Sequence, residues 1–121
     1  MNKWQAWQQF WEGFSIPVYA VRSVPKDAVY PYITYEAQID SLERVLSTTA
    51  SVWYRSSSWK GVSDKAQEIE QALENGGATI PLDLGYLWIN KGTPFAQRLT
   101  EPNDDLIKRI VINIQAEYLS R

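Results

Sequence analysis

The chain has no cysteine and no histidine. The first absence excludes disulfides, thiolate nucleophiles and cysteine-ligated metals. The second removes the side chain most used at neutral pH as a general base and as a metal ligand. No apolar run reaches the roughly 18 residues that a membrane-spanning helix needs. The sequence does not open on a basic segment followed by an aliphatic stretch, so no secretory leader is expected. Neither a G-x-G-x-x-G nor a P-loop pattern occurs. Charge of one sign is also lacking: 12 basic against 14 acidic residues leave −2. That is no footprint for gripping nucleic acid as a monomer, although a ring of copies can carry a charged inner face that net charge conceals. Together these absences predict a cytosolic, non-enzymatic protein with no cofactor, no metal and no membrane contact.

What is present is aromatic. Six Trp, seven Tyr and three Phe make up 13% of the 121 residues, and 45% are hydrophobic. That length and composition suit one folded domain spanning residues 1–121, with a single core. No internal repeat, low-complexity tract or linker divides it.

Trp4, Trp7 and Trp11 recur at helical spacing from Asn2 to Phe14, with Phe10 and Phe14 on the same broad face and Lys3, Gln5, Gln8, Gln9 and Glu12 opposite. Gly13 and Pro17 end that helix. Ile16 to Val21 reads as a short edge strand, limited by Pro17. Tyr30 to Ile39 alternates as a strand, with Tyr32 and Thr34 on one side and Ile33 and Tyr35 on the other. Asp40 to Ser47 contains helix formers, but Val45 and Leu46 equally suit the start of the next strand, Thr48 to Ser56. The two strands would pair as an antiparallel hairpin with a loose connection.

Val62, Ala66, Ile69 and Leu73 form an apolar stripe in a helix from about Ser63 to Glu74, capped by Ser63 or Asp64 with Gln67 and stopped by Asn75-Gly76-Gly77. Gly85 to Asn90 reads as a strand, Lys91-Gly92-Thr93-Pro94 as a turn, and Phe95 to Leu99 as a short strand paired back through it. Leu106 to Leu119 alternates with Ile110, Ile112, Ile114, Ala116 and Tyr118 on one side, the pattern of a long strand. The expected fold is α+β: a two-layer sandwich of a mostly antiparallel sheet with two helices packed on one face.

No constellation specifies catalysis. Gly76-Gly77 lacks the lysine of a phosphate cradle and fits a helix end. Asp104 and Asp105 lie in a polar loop beside Pro102, where exposed or capping acids are common. Ser56-Ser57-Ser58 offers hydroxyls with no base nearby. The aromatics carry more information. Trp53 and Tyr54 are successive strand residues, so they point to opposite faces, as do Leu87 and Trp88. A sheet with aromatics on both faces has a second apolar surface, which suits a subunit that assembles.

Several phrases carry a resemblance. They are Trp7-Gln8-Gln9-Phe10-Trp11, Ile16-Pro17-Val18-Tyr19, Pro31-Tyr32-Ile33-Thr34-Tyr35-Glu36 and Ser51-Val52-Trp53-Tyr54-Arg55-Ser56. Lys91-Gly92-Thr93-Pro94-Phe95-Ala96-Gln97 and Lys108-Arg109-Ile110-Val111-Ile112-Asn113-Ile114 continue it. In that order, and over nearly the whole chain, the sequence resembles the tail terminator (tail completion) proteins of long-tailed bacteriophages and prophages. The resemblance implies a virion protein, made in the host cytoplasm, that forms a homo-hexameric ring on the head-proximal end of the tail tube. The ring would stop tube polymerisation and dock to the head–tail connector protein, and DNA would pass through its lumen unread. On that reading Trp53, Arg55, Trp88 and Phe95 are the expected interface residues, with Trp88 as a core residue the alternative. A head-completion or connector-adaptor protein and a small ligand-binding domain of the ferredoxin-like kind are the competing functions.

Overall fold

The computed structural model describes residues 1–40 and 44–120. Its class is α+β, with two helices and one mixed six-stranded sheet. The first helix, α1 (Lys3–Glu12), is set by a capping box in which the Asn2 side chain accepts from the Gln5 amide while the Gln5 side chain accepts from that of Asn2. Ala6, Trp7, Phe10 and Trp11 are buried along it, and Phe14 follows. Trp4 departs from the expected stripe. It lies on the first turn, beyond the sheet, and is 60% exposed.

The strands are β1 (Val18–Ala20), β2 (Tyr32–Tyr35), β3 (Val45–Arg55), β4 (Ala78–Leu82), β5 (Gly85–Thr100) and β6 (Ile107–Leu119), in the spatial order β1-β2-β3-β6-β5-β4. Only β1–β2 is parallel. The expected β2–β3 hairpin forms, with Ile33 opposite Val52 and Tyr32 opposite Trp53. Part of the ambiguous segment 40–47 lies outside the described residues; the rest opens β3 at Val45. Strand β6 carries the expected pattern, with Ile110, Ile112, Ile114, Ala116 and Tyr118 all buried on one face.

Three expectations are corrected. Lys91 to Pro94 is not a hairpin turn: β5 runs through it, and both halves pair with β6. Residues 92–95 form a bulge opposite the single residue Asn113, whose side-chain amide donates to the Pro94 carbonyl at 2.9 Å. Turn chemistry and bulge chemistry are locally alike, and the long β6 ladder decides between them. On their other side residues 85–89 pair with β4, which sequence reasoning missed because Pro81 and the preceding glycines disguise a short edge strand. Finally, α2 (Lys60–Ala72) starts before Ser63. Its Asp64 pairs with Lys60 one turn back instead of capping, and Ser58 Oγ accepts from the Lys60 amide.

Val62, Ala66, Ile69 and Leu73 are buried as the stripe requires. Both helices pack on the face of the sheet that presents Ile33, Val52, Leu87, Ile89 and Ile112, in one continuous core. Burial of each such aliphatic side chain contributes about 1.5–3 kcal/mol. Exposed ion pairs such as Lys60–Asp64 contribute about 0–1 kcal/mol, so the core dominates stability. Helix α1 touches both β1 and β4, the outermost strands of the sheet. One ten-residue helix can reach both edges only because the sheet curls into a half-barrel around it.

Candidate functional site

Strand alternation leaves the opposite, outer face of the sheet without helices. In β3 it presents Ser47, Thr49, Ser51, Trp53 and Arg55, and in β2 Tyr32 and Thr34. The Trp53 ring stacks on Tyr32 with centroids 6.2 Å apart, and its indole donates to Thr34 Oγ1 at 3.0 Å. Tyr30 and Tyr19 extend the cluster at 5.1 and 5.8 Å from Tyr32. On the other side Arg109, directly across the ladder, places its guanidinium 4.5 Å from the Trp53 centroid and donates to Ser51 Oγ at 3.1 Å. The result is a half-buried row of four aromatic rings ending in a cation. Burial, reinforced by Tyr30 and Tyr19, pushes the Tyr32 hydroxyl up to about 12.

The four expected interface residues do not form one site. Trp53 and Arg55 share the outer face, and Arg55 reaches Asp104 in the β5–β6 loop at 3.4 Å. Trp88 is also turned outward, which corrects its alternative placement in the core. It lies opposite Glu117, at the far end of β6 from Arg109, and its indole donates to the Gly76 carbonyl at 2.6 Å. At roughly 3.3 Å per residue, Trp53 and Trp88 stand some 25 Å apart along the sheet. Phe95 sits at the bulge and packs, half-buried, against the core. The bulge also shifts the alternation by one residue. Arg98 therefore faces the helix side, donating to Ser63 and lying 4.9 Å over the Trp59 ring, while Gln97 and Leu99 face outward.

Sequence reasoning missed Tyr19, Tyr30, Tyr32 and Arg109. The alternation of β2 already turned Tyr32 away from Ile33, but a one-sided strand pattern does not tell which neighbour completes a cluster. It also missed an apolar apex where the start of α1 meets the β4–β5 turn. There Trp4, Met1 and Ile39 surround Leu84, which is 87% exposed, and border a groove of 320 Å³. Beyond β4's reach, no described strand pairs with the β5 edge from Asn90 to Thr100.

Among the described residues no group of three or more acidic side chains is placed to hold a metal, and no helix is long and apolar enough to cross a membrane. Compared with protein-family profiles, curated proteins and solved structures, the chain matches none.

Proposed function

We propose that the chain is a structural subunit that assembles through its sheet, and that it acts as a phage tail terminator. In this reading the helices and the curled sheet work as a two-layer unit. The helix side is closed by the core, and the outer face, the β5 edge and the Trp4–Leu84 apex meet other polypeptides. The observation that carries it is the uncovered apolar surface at two separate places, the Tyr32–Trp53 row and the apex around Leu84. A closed ring uses a heterologous contact, in which one patch of each subunit meets a different patch of the next. Two dissimilar patches supply that requirement, whereas a two-fold dimer needs only one.

Six copies would cap the head-proximal end of the tail tube, end its polymerisation and present a surface to the head–tail connector. DNA would pass through the lumen without base recognition, which suits a subunit of net charge −2. The ferredoxin-like alternative has less support, since the order α-β-β-β-α-β-β-β differs from the β-α-β-β-α-β of that fold. The test is the mass of the purified chain by light scattering, alone and with its tail tube protein. A six-fold ring, or a ring formed on the tube end, supports the proposal. A chain that neither self-associates nor joins the tube overturns it.

A further inference from the structure

We propose that the groove beside Trp53 is a binding site for a small oxyanion, a carboxylate or phosphate carried on a compact apolar body. The groove has a volume of 310 Å³ and lies between the outer sheet face and the segment after β1. Its floor holds Thr34 and Ser51, only 8% and 5% exposed. Each hydroxyl accepts one bond, from the Trp53 indole and from Arg109 Nε respectively, and among the described residues neither donates to a protein acceptor. Two buried O–H donors are thus left for a ligand.

Two guanidinium groups join them. Arg109 lines the wall, and its ion pair among the described residues is a 3.8 Å contact from Nη1 to Glu101. Arg22 lines the rim, and its side chain makes no hydrogen bond or ion pair among the described residues. Its φ is +72°, a backbone conformation that side-chain-bearing residues rarely adopt, and such strain gathers at ligand sites. Val21, Val24 and the Trp53 ring supply apolar walls. The opposing group is Glu36, which also borders the groove and limits its positive charge. Donors on the floor, cations at the sides and apolar walls define an acceptor that is anionic at one end.

The site stands whether or not the chain forms rings, so its test is separate. The Trp53 indole N–H, bonded to the floor hydroxyl, is the reporter. Its resonance in a ¹⁵N-labelled sample is assigned by its disappearance in Trp53→Phe. Titration with inorganic phosphate and with benzoate is expected to move that resonance saturably, at millimolar concentration or below. Arg22→Gln should weaken binding on the order of tenfold, and Glu36→Gln should tighten it a few-fold. Dilution of the protein without added anion separates the sources. A resonance that depends on protein concentration, and whose concentration dependence saturating phosphate abolishes, identifies the carboxylate of a second copy; one that does not depend on it identifies a free ligand. No saturable shift with either probe up to roughly 50 mM overturns the proposal. So does an equal response in wild type and Arg22→Gln.

Discussion

The indole nitrogen of Trp7 donates to the hydroxyl of Tyr118 at 2.7 Å, joining the first helix to the last strand. That hydroxyl in turn donates to the Gln38 carbonyl, so the three elements share one buried polar chain. Trp11, one turn further along α1, is as fully buried, yet among the described residues its indole nitrogen has no hydrogen-bond partner. Two tryptophans on one helix therefore carry opposite polar balances. Trp7→Phe removes a satisfied donor and leaves a void, whereas Trp11→Phe removes an unsatisfied donor that partly offsets its void. Trp7→Phe should be the more destabilising by about 1–2 kcal/mol in urea unfolding. Equal losses would show that the polar chain contributes nothing.

A second comparison concerns the end of α2, where Asn75, Gly76 and Gly77 all have positive φ. A Cβ on Gly76 would meet open space, but one on Gly77 would lie 2.4 Å from the Ile89 carbonyl oxygen. Gly76→Ala should cost only the backbone strain, roughly 1–2 kcal/mol. Gly77→Ala should cost at least about 1 kcal/mol more, because β4 must move away from β5. Thermal unfolding of the two variants checks the order.

Alkali should unfold the protein through its tyrosines. Burial is the leading cause that raises the hydroxyls of Tyr32, Tyr35, Tyr54 and Tyr118 above the ordinary value of 10.0, with Tyr32 at about 12. A group whose native pKa is raised holds its proton more tightly when folded. Its contribution is complete below pH 10 and is lost as pH rises toward 12. The urea midpoint should fall between about pH 10 and about pH 12, and less steeply in Tyr32→Phe. A pH-independent midpoint would contradict the placement of these rings.

Assembly should fail from either patch. Leu84→Asp changes a side chain in contact mainly with solvent, so its effect on monomer stability should stay within about 0.5 kcal/mol. Trp53→Ala loses stacking, a hydrogen bond and a cation contact, and should cost about 1–3 kcal/mol while leaving the fold intact. Each variant alone should remain monomeric with the tube protein absent. An equimolar mixture should give dimers, because each variant retains the patch that the other lacks. A mixture that stays monomeric would show that the two patches do not meet each other.

Legibility in the sequence followed periodicity. The isoleucines of β6 and the Val62-to-Leu73 stripe placed their buried faces correctly, since a repeated pattern over more than ten residues resists misreading. The successive pair Trp53-Tyr54 likewise showed that aromatics would lie on both faces. Tyr54 indeed contacts α2 at Gly61, and Trp53 faces away. Local signals failed where tertiary pairing overrode them. Gly92-Thr93-Pro94 has the composition of a turn, but Asn113 holds it as a bulge. Ser63 and Asp64 look like a helix start, yet the helix had already begun above the Ser56–Ser58 run. The Tyr32–Trp53–Arg109 row joins residues from three strands, and no spacing along the chain announces it.

Strand β6 follows the other five described strands in the sequence, yet it stands in the middle of the sheet between β3 and β5. Until it emerges from the ribosome, the nascent chain can hold only two half-sheets, each with a long raw border and an uncovered greasy side. Slow, late zippering is the expected route, because the keystone pairings are distant in sequence. A premature stop before Leu106 would thus yield a sticky, aggregating product and not a shorter working version, and a cell making the protein needs to protect it until β6 has emerged.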